Sequence, residues 1–200
     1  MEWLGATLAP AQYEQLEILA SWLAGEAAAA GGIGPDEHGR MWARHLADSL
    51  TFAGGWVDAP PPDQLLDVGA GVGLPGIPLA ILWPNTLVTL LDRSGRRVDL
   101  AQRAVRRLGL NNVEVRQGDV LSETGVWQGV VFRAVFPPER ARQVADGLLD
   151  EAGTAVIGLR GAANRRAATL VTMDQRSTRI VDVPATVLDG AVSLLIMDPS

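Results

Sequence analysis

The chain contains neither cysteine nor lysine among its 200 residues. The absence of cysteine excludes disulfides, thiolate metal sites and cysteine nucleophiles. The absence of lysine excludes a Schiff-base lysine and the lysine of a P-loop. All 17 basic residues are therefore arginines, and the formal net charge is −6. That charge argues against a protein that coats nucleic acid non-specifically, although it leaves room for a local basic patch.

Long apolar runs and histidines are scarce as well. No run of about 18 apolar residues occurs, so we expect no segment that spans a membrane. The first residues, MEWLGATLAPAQYEQ, lack the basic start and apolar core of a secretory signal, which favours a cytoplasmic protein. The two histidines, His38 and His45, are too few and too isolated to predict a metal site. We expect the chain to act as a monomer.

The order of strand and helix patterns predicts an α/β fold. Residues 1–58 read as a helical N-terminal extension, with helices over about 10–30 and from Met41 to Phe52. The stiff stretch DAPPPD follows, and residues 63–200 then alternate short apolar strands with helices. Such alternation predicts a Rossmann-like, mostly parallel sheet. The last two strand patterns have little between them, which predicts an antiparallel hairpin.

Residues 65–92 read LLDVGAGVGLPGIPLAILWPNTLVTLLD, a glycine-rich turn between two apolar strands. Residues 71–76 match the GxGxxG pattern of dinucleotide-binding proteins. Gly69, Ala70, Gly71 and Gly73, within 69–73, match the GxGxG turn of Rossmann-like methyltransferases. The strand ends before Gly69, so the turn is expected to start there.

Three carboxylates favour the methyltransferase interpretation. Asp67 lies one residue inside the first strand end, where it would repel a pyrophosphate but suit the cationic S-adenosylmethionine. Asp92 ends the second strand and can accept hydrogen bonds from ribose hydroxyls, whichever cofactor binds. Asp119 follows the third strand, where it can meet an adenine amino group. A nicotinamide oxidoreductase remains an alternative at this stage.

Several arginines are candidates for substrate binding. Arg133 follows an apolar strand at the carboxyl edge, where ligands of such sheets bind. The helix SGRRVDLAQRAVRRLGL carries five arginines opposite an apolar stripe, at positions 96, 97, 103, 106 and 107. They form either a solvated face or a phosphate-contacting patch. In WARHLADSL, Arg44 and Asp48 are either a helix-surface ion pair or part of a lip over the cofactor pocket.

These motifs together resemble the bacterial 16S ribosomal RNA guanine-N7 methyltransferases, also called glucose-inhibited division protein B. The resemblance is carried by LLDVGAGVGLPGIPLAILWP, TLLDRSGRRVDL, RHLADSL, FRAV and VPATVLDG, and covers about residues 41–197. It implies a class I methyltransferase fold with a seven-stranded sheet. It also implies S-adenosylmethionine as cofactor and 16S ribosomal RNA, free or in the small ribosomal subunit, as substrate.

The resemblance extends to site residues. It implies cofactor contacts at Gly69, Leu74, Asp92, the Asp119–Val120 pair and Arg133, and Arg93 and Leu121 adjoin them in the sequence. Arg133 is also the first candidate catalytic residue, because it can hold a phosphate or the base near the methyl group. Arg160, the second, occupies the place of a family lysine as a phosphate contact.

The chain departs from the family pattern in a few places. Leu121 stands where relatives usually carry an acid, and Arg160-Gly161 stands for a Lys-Gly pair. GGIGPDEHGRM replaces an Asn-Leu-Thr stretch, and residues 191–193 replace an Arg-His pair. Two further interpretations therefore stay open: a diverged paralogue that methylates another RNA or a small molecule, and a binding module that holds S-adenosylmethionine without catalysis.

Overall fold

The computed structural model describes residues 4, 7–34, 39–160, 176–184, 187–188 and 192–199. Their strands are β1 Gln64–Val68, β2 Leu87–Asp92, β3 Val113–Gln117, β4 Trp127–Phe132, β5 Leu149–Arg160, β6 Thr178–Val183 and β7 Val192–Met197. These strands form one sheet in the order β3-β2-β1-β4-β5-β7-β6. The first five are paired in parallel, whereas β7 is antiparallel to β5 and β6. The predicted mostly parallel sheet with its antiparallel final hairpin is confirmed.

Helices flank this sheet. Those described are α1 Pro10–Trp22, α2 Ala47–Thr51, α3 Gly76–Leu82, α4 Gly95–Leu108 and α5 Pro138–Asp146. A π-helical segment, Leu23–Ala27, prolongs α1. Another, Met41–Leu46, precedes α2, and a 3-10 helix, Phe52–Trp56, follows it. The two helices predicted in the N-terminal extension are therefore present.

The second half of the Rossmann-like pattern differs from the prediction in one place. The sequence pattern predicts a helix from about Pro138 to Asp150 and a strand TAVIGLR that starts at Thr154. Instead α5 ends at Asp146, and β5 begins at Leu149. Leu149 pairs with Trp127 on the neighbouring strand. This long-range pairing extends β5, and its partner cannot be recognised from the local sequence DGLLDEAG.

Alternate residues of the central strands face two cores. On one face, Leu65 packs with Leu16 and Leu19 of α1 and with residues of α3 and α4. On the other face, Leu66 packs with Phe132 and the small residues of α5. The N-terminal extension therefore covers one face of the sheet and shares its core. No helix among the described residues is long and apolar enough to cross a membrane.

The strand order determines where a ligand site can form. β1 lies between β2 and β4, so the helices that follow β1 and β4 leave on opposite faces of the sheet. A crevice opens at the carboxyl ends of strands wherever the order reverses in this way. The glycine-rich turn and Arg133 both follow strands at this point.

Candidate active site

A cleft of about 940 Å³ lies at this carboxyl edge of the sheet. Its walls come from the turn after β1, the segments after β2, β3 and β4, the end of β5, and the N-terminal extension at residues 32–34 and 44–45. The volume falls within the range of small-molecule and cofactor sites. Almost all the predicted site residues line this cleft.

The glycine turn begins where the sequence predicted. β1 ends at Val68, and the backbone N–H groups of Gly69 and Ala70 donate to the carbonyl oxygen of Leu91 at 2.7 and 3.1 Å. Gly71 has a φ of 61°, and a Cβ there would meet nothing within 4 Å. The absence of a side chain at Gly71 therefore keeps that part of the cleft open to a ligand.

Gly73 has a structural role in the turn. Its φ is 98°, and a Cβ would lie 2.3 Å from Cδ1 of Ile77. It is not among the residues that line the cleft. The structure shows that this glycine lets the turn pack closely against α3, and its contact with the cofactor stays a prediction.

Two predicted carboxylates line the cleft on its β2–β3 side. The Asp92 oxygens accept hydrogen bonds from the backbone N–H groups of Gly71 and Ser94, both at 2.9 Å. Asp119 accepts a hydrogen bond from the N–H of Leu121 at 3.0 Å. Both acids line the cleft, as do Arg93, Leu74, Val120 and Leu121. We call Asp92, Asp119 and the turn 69–73 the carboxylate end of the cleft.

Asp67 lies beneath the turn rather than in the cleft. Its side chain is fully buried, and Oδ2 accepts a hydrogen bond from the N–H of Gly76 at 2.7 Å. Burial raises the pKa of Asp67 to about 7, against the opposing effects of the Gly76 hydrogen bond and the Arg133 charge. The structure gives Asp67 a structural position beneath the turn, and its contact with the cofactor stays a prediction. Its carboxyl group ties the turn to the start of α3.

Arginines line the opposite side of the cleft, at the ends of β4 and β5. Nε of Arg133 lies 2.7 Å from Oδ2 of Asp48, and Nη2 of Arg160 lies 2.6 Å from the same oxygen. Arg133 also donates to the carbonyl oxygen of Arg44 at 3.2 Å. Arg44 lines the cleft with the other two arginines, as does His45. We call Arg44, Arg133 and Arg160, with Asp48 behind them, the arginine end.

Asp48 belongs to the site, but the sequence did not predict its contacts with Arg133 and Arg160. The sequence left open whether WARHLADSL forms a surface ion pair or a lip over the pocket. Arg44 and His45 do line the cleft, and the Asp48 side chain is only 3% exposed, so it is no surface residue. The one signal in the sequence was the apolar residues Leu50 and Phe52 just after this acid, which indicate that the segment is buried. A buried carboxylate needs a charged partner, which here comes from elsewhere in the chain.

The arginines of α4 face solvent. Arg103 pairs with Asp99 at 2.8 Å and Arg107 with Glu26 at 3.6 Å, and all four side chains are more than half exposed. Arg97 differs, because it lies at the lip of the cleft, 3.8 Å from Asp92. The solvated-face interpretation thus accounts for the middle and end of this helix.

In the part of the chain that the structure describes, no group of three or more histidine, aspartate and glutamate side chains is arranged to hold a metal ion. His45 is placed beside Arg133, with Nδ1 3.5 Å from its Nη2. His38, Gly161 and residue 191 lie outside the described residues.

Comparisons with known proteins agree with this geometry. The sequence profile of the family described as rRNA small subunit methyltransferase G matches residues 12–183. Ribosomal RNA small subunit methyltransferase G of Cellvibrio japonicus is 34% identical over 163 residues, which cover 80% of this chain and 74% of that protein. The protein of the same name from Mycolicibacterium gilvum is 34% identical over 183 residues, covering 84% of this chain and 79% of that protein.

Solved structures are similar in fold. An O-methyltransferase from Bacillus cereus, in complex with SAH, aligns with a TM-score of 0.60 at 17% identity and covers 96% of this chain and 92% of that one. A putative O-methyltransferase from Klebsiella pneumoniae aligns with a TM-score of 0.62 at 14% identity, covering 97% and 92%. This likeness shows the Rossmann-like class I methyltransferase fold. Together with the profile and the two relatives, it leads to one conclusion: the chain belongs to the rRNA small subunit methyltransferase G family.

Proposed function

We propose that the chain is an S-adenosylmethionine-dependent methyltransferase that modifies N7 of a guanine in 16S ribosomal RNA. Family membership supports the reaction and the class of substrate. The observation that carries the proposal is the division of one cleft into a carboxylate end and an arginine end. The first suits a cationic cofactor, and the second suits a polyanionic substrate.

The carboxylate end fits the cofactor. The open space at Gly71 admits a ligand close to the backbone, and Asp92 beside it can accept hydrogen bonds from a ribose. Asp119, Val120 and Leu121 form a wall where an adenine can lie, with Gly69, Ala70, Leu74 and Arg93 around it. When bound, S-adenosylmethionine supplies an activated methyl group. These residues would hold its adenosyl part on the side of the cleft opposite the arginine end.

The arginine end fits the phosphates of RNA. Arg133 and Arg160 present guanidinium groups, which pair with phosphate oxygens in a fixed geometry. Arg133 holds a phosphate or the base close to the methyl group, and Arg160 contacts a neighbouring phosphate. Guanine N7 has a lone pair and no proton to lose. Its methylation therefore requires alignment of the two reactants and no general base.

The proposal extends to the form of the substrate, the oligomeric state and the cellular compartment. The substrate is 16S ribosomal RNA, free or in the small subunit, and the chain works as a monomer. Ribosomal subunits are assembled in the cytoplasm, so the same substrate implies a cytoplasmic enzyme.

Binding and turnover test the proposal in sequence. Calorimetric titration should show binding of S-adenosylmethionine and S-adenosylhomocysteine but not NADH. A labelled-methyl assay should then show transfer to 16S ribosomal RNA or to small subunits. Binding of NADH alone would overturn the methyltransferase assignment. Cofactor binding with no transfer to either RNA substrate would overturn the proposed substrate.

Arg133→Ala tests the arginine end directly. We expect kcat/KM for RNA to fall about 100-fold, the usual cost of removing one positioned donor. The affinity for S-adenosylmethionine should fall much less. Arg106→Ala, which removes an exposed arginine of α4 far along the helix, is the matched control and should retain full turnover. Unchanged turnover in Arg133→Ala would refute the role given to this residue.

A further inference from the structure

Asp48 links the two candidate catalytic arginines through one atom. Its Oδ2 lies 2.7 Å from Nε of Arg133 and 2.6 Å from Nη2 of Arg160. The three residues come from α2, the segment after β4 and the last position of β5. The contact therefore brings together three separate parts of the fold at one point of the cleft wall.

The carboxylate of this cluster is buried, whereas its two arginines reach the cleft. The Asp48 side chain is 3% exposed, that of Arg133 17% and that of Arg160 43%. A buried carboxylate is costly unless charged donors surround it, and here both guanidinium groups do so. Both arginines nevertheless line the cleft. The cluster holds two positive charges and one negative charge, so it keeps a net attraction for an anion.

We propose that Asp48 is a positioning residue, which holds Arg133 and Arg160 side by side so that they bind one phosphodiester of the RNA substrate together. The inference rests on the proposed function. Because both guanidinium groups bond to the same oxygen, their orientations are coupled. Asp48 does not touch the RNA; it acts through the two arginines.

Charge alone predicts the opposite result, which makes the inference testable. Asp48→Asn removes a negative charge beside the path of a polyanion. If Asp48 acted only through its charge, this variant would bind RNA more tightly and turn over at least as fast. If Asp48 acts by positioning, the neutral amide oxygen holds the two guanidinium groups more weakly than the carboxylate and no longer offsets their mutual repulsion, so they separate and turnover falls.

The experiment compares three variants in the labelled-methyl assay with 16S ribosomal RNA. For Asp48→Asn we expect kcat/KM to fall at least about tenfold, the equivalent of one charge-assisted hydrogen bond. Asp48→Glu keeps the charge but displaces it by one methylene, and should lie between Asp48→Asn and the wild type. Asp99→Asn removes the same charge from the exposed face of α4 and should match the wild type. Calorimetry should show that all three variants still bind S-adenosylmethionine, because neither Asp48 nor Asp99 is among the residues that line the cleft.

The outcomes separate the inference from the proposed function. No methyl transfer by the wild-type protein would refute the proposed function itself. An active wild type with equal or faster turnover in Asp48→Asn would overturn the inference. If Asp48→Asn does not fold, Asp48→Glu decides: reduced kcat/KM with intact cofactor binding supports positioning, and unchanged kcat/KM overturns it.

Discussion

The two ends of the cleft each depend on a buried aspartate, but the two aspartates are held differently. Asp67, under the carboxylate end, accepts a hydrogen bond from the N–H of Gly76, nine positions along the chain. Asp48, behind the arginine end, pairs with Arg133, 85 positions away, and with Arg160. The turn of the carboxylate end is therefore tied down within one strand–turn–helix unit, whereas the arginine end is held by the meeting of distant segments.

The difference teaches how each end can be altered. The carboxylate end is a backbone structure, in which glycines and N–H groups define the space, so a single added side chain should block it. The arginine end is formed by side chains, which are held in place by the ion pairs of Asp48 with Arg133 and Arg160. Its geometry should fail when any one partner is removed, while the fold remains.

The largest effect is expected at the carboxylate end. Gly71→Asp places a side chain in the space that the turn leaves open and a second carboxylate beside Asp92, whose Oδ2 is 2.9 Å from the Gly71 nitrogen. We expect the affinity for S-adenosylmethionine to fall more than about 1,000-fold, because the added side chain occupies the space that the ligand needs. Calorimetric titration measures this loss.

Gly109→Asp is the matched control for that substitution. Gly109 has a φ of 63°, close to the 61° of Gly71, and a Cβ there also meets nothing within 4 Å. Because Gly109 lies at the end of α4, away from the cleft, this variant should bind the cofactor as the wild type does. Retained affinity in Gly71→Asp would mean that the ligand does not approach the turn, and the contrast between the two ends would fail.

A smaller effect is expected from the buried acid beneath the turn. The pKa of Asp67 is raised from 3.8 to about 7, so the folded protein binds a proton that the unfolded chain releases. Stability from this group is therefore present at low pH and is lost as the pH rises through 7. We expect the wild type to lose about 2 kcal/mol relative to Asp67→Asn between pH 5 and 7.

Denaturant unfolding of the wild type and Asp67→Asn across this pH range checks the prediction. The asparagine can still accept the Gly76 hydrogen bond but cannot titrate. A difference between the two proteins that does not vary with pH would contradict the proton uptake assigned to Asp67.

The smallest effect is expected outside the cleft, on α4. Arg103 and Arg107 are more than half exposed and already face Asp99 and Glu26. Exposed pairs of this kind contribute little. The double variant Arg103→Gln and Arg107→Gln should therefore change RNA affinity less than about threefold. Filter binding at several salt concentrations measures it, and a large loss with a reduced salt dependence would extend the RNA-binding surface from the arginine end onto this helix.

The parts of the site that could be predicted are those encoded by a short stretch of sequence, and the parts that could not depend on contacts between residues far apart in the chain. The turn 69–73, Asp92 and Asp119 were identified because strand ends and a glycine pattern place them locally. Asp67 and Gly73 show what the sequence left undecided: it places a residue at a turn but does not show whether that residue faces the cleft or the core. The start of β5 was misjudged because a pairing with Trp127 decides it.

The sequence by itself determined the alternating α/β pattern, the start of the glycine turn and the placement of Asp92 and Asp119 at strand ends, because each follows from local patterns of strand, turn and helix residues. Only the tertiary structure decided the arginine end. Asp48, Arg133 and Arg160 carry no local signal that they share one oxygen. Their meeting follows from the packing of the N-terminal extension against the sheet, where burial of a carboxylate demands charged partners that the chain supplies from far away.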